Sequence, residues 1–273
     1  MYKKSLKDIF INEVAKIVGD KKEAGVALSA GIDSTCVLFA LLELGIKTTV
    51  YSFHVEKVFS RDYLYAKKTA EHFSCDFVEC VIPRPIDRHS IIELIEKYGL
   101  KKKTDIECTY PFLFLLPKVR EEVLVTGACA DGHFCLSKKG RIHYRHTVEL
   151  LREFRDGLFD NPNYAQVETF TQICKNNFDN LKIDTPYNKQ SIRDYFYDMT
   201  WDECNKPKEK FPLRDMFPKM LEQITIFNHT NYQCGDSEIR DIFEVLLDDA
   251  DWNSKNRSRM IDVYRDMYNI LNM

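Results

Sequence analysis

The sequence predicts an α/β fold, in which a parallel sheet with helices on both faces is followed by an all-helical C-terminal part. The first observation is the alternation of strand-like and helix-like segments through the first half of the 273-residue chain, which favours a parallel sheet. The second is a small-residue turn, SAGIDS at 29–34, between the first predicted strand and the helix after it. The third is the loss of strand patterns after about residue 145. We therefore expect an α/β domain over residues 1–145 and a helical subdomain over residues 146–273.

The first half begins with an amphipathic helix, because apolar residues recur at helical spacing from Leu6 to Val18. Strands and helices then alternate. The predicted strands are GVALSA (25–30), KTTVYSFH (47–54), DFVECVI (76–82) and EVLVTGA (122–128). The predicted helices cover residues 33–44, 60–74, 89–99 and 110–119, the last of them despite Pro117. Ligands of such folds bind beyond the carboxyl ends of the strands, where both SAGIDS and GACADG (127–132) lie.

The second half shows Phe, Tyr, Leu and Ile at helical spacing and no strand pattern. Asn-Pro at 161–162 and Thr-Pro at 185–186 separate the segments. The predicted helices include VELLREFRDGLF (148–159), VETFTQICKNNF (167–178), SIRDYFYDM (191–199), EIRDIFEVLLDDA (238–250) and RMIDVYRDMYNIL (259–271). We expect this helical part to pack on the sheet.

The composition is that of an ordinary globular protein, with 44% hydrophobic and 30% charged residues. The net charge of −3 indicates no strong field for nucleic acid or membranes, so we expect neither as a partner. No long uncharged apolar stretch predicts a signal peptide or a membrane span. The nine cysteines are scattered without a CxxC pair, which argues against a zinc knuckle or dithiol centre. We expect reduced thiols and a cytoplasmic location.

The turn at 29–34 has the composition of an anion site. Ser29 and Ser34 offer hydroxyls, Gly31 lets a phosphate approach the backbone, and the helix N-terminus that follows favours negative charge. A carboxylate here, Asp33, would repel phosphates unless it holds a Mg²⁺ that the phosphates also bind. The alternative is a plain turn in which Asp33 and Ser34 cap the helix. Asp131, in a second Gly-containing loop after another strand, favours a site for ATP with magnesium.

Five segments, taken in order, resemble the N-type ATP pyrophosphatases, and more narrowly the synthetase domain of asparagine synthetases and β-lactam synthetases. SAGIDS is similar to the SGGxDS pyrophosphate loop, and TGACADG (126–132) to the SGxGADE loop. IDTPYNKQSIRDYF (183–196) stands where the family has ExRxPFLD. EKFPLRDMFPKML (209–221) resembles the KxxLRxxF…LP segment, and FNHTNYQCGDS (227–237) the RxKxxFxxG segment. The resemblance covers residues 24 to about 240 and implies an adenine nucleotide alpha hydrolase-like fold, with a nucleotide-binding first domain and a helical part that completes the active site.

The resemblance also implies a reaction and a set of residues. ATP adenylates a small-molecule carboxylate with release of pyrophosphate, and an amine then displaces AMP to form an amide; ATP and Mg²⁺ are the expected cofactors. The implied nucleotide- and pyrophosphate-binding residues are Leu28, Ser29, Ala30, Gly31, Asp33, Ser34 and Gly127. Asp33 and Asp131 are the implied metal ligands. Lys210, Arg214 and His229 are the implied catalytic residues, although Lys210 and Arg214 are also compatible with a solvated helix start and His229 with a polar loop residue.

Several positions depart from the family pattern; the resemblance implies that the pyrophosphatase half is intact and that the half that receives the amine is rewritten. Ala30 replaces a loop glycine, which is tolerable if that position does not need a positive φ. Other positions differ as well: Cys129 and Gly132 in the second loop, Lys182 for a glutamate, and His229 for a lysine. Tyr2 stands where glutaminase-bearing relatives have their nucleophilic cysteine. We therefore expect an amine that does not come from glutamine within this chain, and a separate amine-donor partner is compatible with this.

Three classes of function are compatible with these observations. The first is an AMP-forming ligase that joins a carboxylate to an amine. The second is an enzyme of the same superfamily that activates a carbonyl oxygen on a nucleobase or RNA. The third is a protein that binds the nucleotide without turnover.

Overall fold

The computed structural model describes residues 5–227 and 236–273 of the chain. Within them, five parallel strands form one sheet in the order β3-β2-β1-β4-β5. The strands are β1 (Glu23–Ala27), β2 (Lys47–Val55), β3 (Asp76–Ile82), β4 (Val123–Val125) and β5 (Lys182–Asp184).

The helices follow the strands in the first part of the chain and dominate the second part. The longer ones are α1 (Leu6–Val18), α2 (Ile32–Glu43), α3 (Arg61–His72), α4 (Arg88–Glu96), α5 (Lys103–Leu115), α8 (Val148–Phe159), α9 (Val167–Asn177), α10 (Gln190–Tyr197) and α15 (Met260–Leu271). The short ones are α6 (Asp131–Phe134), α7 (Lys138–His143), α11 (Trp201–Asn205), α12 (Phe211–Met216), α13 (Pro218–Leu221) and α14 (Ile239–Glu244). Single 3₁₀ turns cover Leu116–Lys118, Tyr164–Gln166, Pro186–Asn188 and Val245–Leu247.

Two apolar clusters cover the two faces of the sheet. Residues of α1, α2, α10 and α12 make up most of the first cluster, in which Phe10 and Phe39 are fully buried. Residues of α4, α5, α14 and α15 make up half of the second, around Tyr110 and Phe243. No helix within residues 5–227 and 236–273 is long and apolar enough to cross a membrane.

The register of the sheet brings two loops together. In β1, Val26 pairs with Val50 of β2 on one side and with Val125 of β4 on the other. Because all three strands run in the same direction, the turn after β1 and the loop after β4 leave the same edge of the sheet side by side. These loops carry Asp33 and Asp131, so the strands position both predicted acidic residues at one place.

The predicted fold class is confirmed, and most predicted elements lie within a few residues of the observed ones. Two details of the prediction are wrong. The helix expected at 110–119 begins at Lys103 and ends at Leu115, because buried polar residues in its first turns hide the apolar pattern. The second half also contains a strand: β5 pairs with β4, and the amide of Thr126 donates to the carbonyl of Asp184 at 2.9 Å. The division into domains at residue 145 stays a prediction, and β5 joins residues from both sides of it in one sheet.

Candidate active site

The turn between β1 and α2 is a compact backbone loop held by its own hydroxyls. Gly31 is the N-cap of α2. The amide of Ser29 donates to Ser34 Oγ at 3.1 Å, and the amide of Gly31 donates to Ser29 Oγ at 3.1 Å. Ala30 lies outside the left-handed region, so alanine fits at this loop position without strain. Its amide donates to a carboxylate oxygen of Asp62 at 3.2 Å, so this N–H already binds an anionic group.

The loop after β4 packs directly against that turn at Gly127. A Cβ atom on Gly127 would lie 2.7 Å from the backbone nitrogen of Ser34 and 3.0 Å from the carbonyl carbon of Asp33. Backbone atoms at the start of a helix cannot move aside, so only glycine allows the two loops to touch. Further along the loop, Cys129 has a φ of 69°, in the left-handed region, and Asp131 begins α6.

Lys210 reaches this site from the helical part of the chain. It precedes α12 with a φ of 58°, an uncommon conformation for a residue other than glycine. Its amide donates to Oδ1 of Asn205 at 3.3 Å, while Nδ2 of Asn205 donates to the carbonyl of Phe134 at 3.0 Å. The Asn205 side chain therefore fixes the loop of Lys210 to α6, the helix that begins with Asp131.

The ammonium group of Lys210 bridges the two acidic loops. Its Nζ lies 2.6 Å from Asp33 Oδ2 and 2.6 Å from Asp131 Oδ1. The Lys210 side chain is only 9% exposed, against 18% for Asp33 and 60% for Asp131. Burial alone would lower the pKa of Lys210, but the two carboxylates hold this pKa above its ordinary value. Lys210 is thus a buried cation, and for it the alternative of a solvated helix start is wrong.

The remaining predicted residues lie around this ion bridge or outside the described chain. Leu28 is buried at the end of β1. Arg214 is half-buried, and its Nε donates to the carbonyl of Glu209 at 3.0 Å. His229 lies outside the described residues, and its predicted role stays a prediction.

A cavity of about 670 Å³ opens beside the two loops, and we call it the loop cavity. The turn at 28–34 and the loop at 126–131 form one side of it. The rest of its lining includes the end of β2, residues 98–102, the start of α5 and the segment 161–166, with the aromatic rings of Phe53, Phe112 and Phe170 among its walls. A cavity with aromatic walls next to the backbone amides and hydroxyls of this turn suits a nucleotide, whose base needs apolar surface and whose phosphates need donors.

A second cavity of about 680 Å³ lies on the other side of Asp131, and we call it the basic cavity. Lys210 and Arg214 line it, together with residues of α7 and α8. Asp131, Leu158 and Tyr164 line both cavities and therefore form the wall between them. The ion bridge, formed by Lys210, Asp33 and Asp131, therefore lies between the loop cavity and the basic cavity.

The donor set of the bridge fits a magnesium ion. Oxygens of two carboxylates approach one cationic nitrogen at 2.6 Å each, and Mg²⁺ is commonly held by one or two carboxylates together with substrate phosphates. Asp33 and Asp131 are the residues that would hold it. Across residues 5–227 and 236–273, no group of three or more His, Cys, Asp or Glu side chains converges on a point.

Three residues of this site escaped the sequence analysis. Asn205 anchors Lys210, and Asp62 accepts from the turn. The hydroxyl of Tyr187, which is fully buried, donates to the carbonyl of Asp33 at 2.9 Å. Their partners lie 5, 32 and 154 positions away in sequence, and no local pattern signals such contacts.

Comparisons with known proteins give one family and distant structural similarity. The family model described as asparagine synthase matches residues 5–244. No curated protein matches the chain. The U34-tRNA thiolase NcsA from Methanococcus maripaludis, solved with its 4Fe–4S cluster, is 13% identical, with 97% of this chain and 79% of that chain covered and a TM-score of 0.39. The NMN synthetase from Francisella tularensis is 13% identical, with 84% of this chain and 100% of that chain covered and a TM-score of 0.34.

Proposed function

This chain belongs to the asparagine synthase family, and from that membership we propose that it is an ATP-dependent ligase that adenylates a substrate carboxylate and transfers the acyl group to an amine. The family match supports the use of ATP through a pyrophosphate loop. The identity of the reaction as carbon–nitrogen ligation is the proposal.

Two displacements make up the proposed reaction. A carboxylate oxygen of the substrate attacks the α-phosphorus of ATP, and the bond from that phosphorus to the oxygen of pyrophosphate breaks. The amine nitrogen then attacks the acyl carbon, AMP leaves, and the nitrogen loses a proton. Catalysis of the first displacement depends mainly on fixed donors and cations around the phosphates.

The residues of the site suit these demands. Ser29 and Ser34 lie at the N-terminus of α2, where the helix favours negative charge, and this supports their proposed role in binding pyrophosphate. Mg²⁺, when held by Asp33 and Asp131, supplies positive charge to the phosphates. Lys210 keeps its charge in a buried position, so it provides a cation to the leaving pyrophosphate without being screened by water.

The single observation that carries the proposal is the contact of Lys210 with both Asp33 and Asp131 at 2.6 Å. These residues come from three separate segments, and each was implied by a different motif. A buried lysine held between two carboxylates beside the proposed phosphate-binding turn has a clear use in phosphoryl chemistry, because it fixes a positive charge where negative charge develops.

The test is isotope exchange between labelled pyrophosphate and ATP, screened over amino acids and other small carboxylates. A ligase exchanges label only when its carboxylate is present, because the adenylate must form and reverse. Asp33→Ala should abolish the exchange, and Asp131→Asn should reduce it less severely because an amide oxygen still binds a metal weakly. Absence of exchange with every carboxylate, in a protein that binds ATP, would refute carboxylate adenylation.

The second candidate is activation of a carbonyl oxygen on a nucleobase by the same adenylation. The observation that favours it is the cation-rich lining of the basic cavity, with Lys138, Lys139 and Arg141 beside Lys210. The same exchange assay with nucleosides and nucleotides in place of carboxylates separates the two.

A further inference from the structure

We propose that the basic cavity binds a phosphate group of the substrate that reacts with ATP. This substrate would then carry a phosphate in addition to the group that is adenylated. This inference rests on the proposed function, since it assigns the substrate class of the same site. The phosphate can belong to a small phosphorylated molecule or to a nucleic-acid backbone.

The charges that line the basic cavity give the first reason. Two of its cations already have carboxylate partners, because Arg141 pairs with Glu209 at 2.6 Å and Lys210 pairs with Asp131. Lys138 and Lys139 are exposed on α7, and no described carboxylate lies within 4.0 Å of either ammonium group. Their charge is therefore available to a ligand.

The sequence around α7 extends this positive surface. Between Asp131 and Glu149 the chain has no acidic residue, although the protein as a whole has a net charge of −3. Exposed Arg145 follows α7 and lies over the ring of Trp201, 5.7 Å from its centroid. The lining of the basic cavity carries five cations (Lys138, Lys139, Arg141, Lys210 and Arg214) against three carboxylates (Asp131, Glu153 and Glu209). An excess of positive charge beside a reaction site raises the local concentration of anionic ligands.

The apolar wall of the cavity gives the second reason. The rings of Tyr144 and Phe154 pack at an angle of 47° with centroids 5.5 Å apart, and the ammonium of Lys139 lies 5.6 Å from the centroid of Tyr144. Phe227 also lines the cavity. Aromatic rings combined with cations are the common means of binding a group that has both a flat ring and a phosphate.

The shared wall connects this binding to the chemistry. Asp131 and Tyr164 line both cavities, and Lys210 lines the basic cavity while contacting Asp33 of the phosphate-binding turn. A substrate anchored by its phosphate at Lys138 and Lys139 would therefore present its other end to the α-phosphate of a nucleotide in the loop cavity.

The experiment uses the full chain with a saturating non-hydrolysable ATP analogue and Mg²⁺, which fill the loop cavity. Calorimetry then measures binding of uridine 5′-monophosphate, of uridine, and of unfractionated tRNA to three proteins. They are the unsubstituted chain, Lys138→Ser/Lys139→Ser, and the control Lys67→Ser/Lys68→Ser. The control removes another exposed lysine pair, on α3, where Lys68 also lies over a tyrosine ring, 4.8 Å from its centroid.

We expect at least one phosphate-bearing probe to bind the unsubstituted chain and uridine not to bind. The Lys138/Lys139 variant should lose about tenfold in affinity, the effect of two exposed charge contacts, and the control should not. Binding of the monophosphate identifies a small substrate, and binding of tRNA alone identifies a nucleic acid. The inference is overturned if neither probe binds, or if both variants lose affinity equally. Failure of the ATP analogue to bind would instead refute the proposed function.

Discussion

Replacement of Lys210 by methionine tests the ion bridge most directly, because methionine keeps the apolar stem and removes the charge. The change leaves the carboxylates of Asp33 and Asp131, each 2.6 Å from the lost nitrogen, facing each other without the cation between them. Removal of one partner from a buried ion pair costs about 3–5 kcal/mol. Because the Asp131 side chain is 60% exposed and water can reach it, we expect about 3 kcal/mol, the lower end of that range.

Two assays measure the consequences. For a chain of this size, a loss of about 3 kcal/mol in the free energy of unfolding lowers the melting temperature of Lys210→Met by roughly 6–12 °C. Pyrophosphate exchange should fall by roughly 10²–10³-fold, the usual effect of removing one group that stabilises transition-state charge. The matched control is Lys206→Met, four positions earlier, where the side chain is 63% exposed and pairs with Asp202 on the surface; it should change stability by less than about 1 kcal/mol.

A double variant separates the structural effect from the catalytic one. Lys210→Met/Asp131→Asn removes the repulsion between the two acids, so it should regain part of the lost stability while its exchange activity stays low. The reasoning is refuted if Lys210→Met melts within about 2 °C of the unsubstituted protein, or if it exchanges pyrophosphate at the normal rate.

Three further predictions concern other parts of the molecule. Gly127→Ala should destabilise the protein by roughly 1–3 kcal/mol in thermal unfolding and weaken ATP binding, because the new Cβ would lie 2.7 Å from Ser34 N. The control Gly157→Ala, whose Cβ would meet nothing within 4 Å, should leave the melting temperature unchanged or raise it. Burial raises the pKa of the Glu107 carboxyl. The contribution of Glu107 to the free energy of unfolding is therefore present below about pH 4.5 and is lost as the pH rises through the folded-state pKa. In urea unfolding, the free energy of unfolding of Glu107→Gln should fall less between about pH 4.5 and pH 7 than that of the unsubstituted protein, and parallel curves would contradict this. His229→Ala should spare pyrophosphate exchange yet slow amide formation by roughly 10²–10⁴-fold, the usual effect of a general acid–base group, with His229→Lys as the test of whether charge alone suffices; normal product formation would remove His229 from the mechanism.

The parts of the fold that the sequence predicted are those with strong local periodicity. The helix expected at 148–159 is observed as Val148–Phe159, because Leu151, Phe154 and Leu158 recur at helical spacing. The strand at Lys182–Asp184 was missed because only Ile183 of its three residues is buried. A segment that short has no alternation to recognise, and only its pairing with β4 makes it a strand.

The candidate site was predictable where it depends on strand ends and motifs, and not where it depends on distant contacts. Asp33 and Asp131 each follow a strand of a parallel sheet, so their proximity follows from topology. The approach of Lys210 was implied only by a resemblance to relatives. The link from Asn205 to the carbonyl of Phe134 spans 71 positions and depends on how two short helices pack, which no sequence pattern encodes.

The position of β5 at the edge of the sheet has a consequence for the order in which the protein is made. Ribosomal synthesis delivers β1 to β4 first, and β4 keeps one unpaired edge until residues 182–184 leave the exit tunnel. The amide of Thr126, which starts the loop that leads to Asp131, receives its partner only when Asp184 arrives. A nascent chain that stalls before this point therefore exposes an open strand edge and lacks one of the hydrogen bonds that fix that loop, so we expect shortened chains ending between 145 and 180 to aggregate when translated.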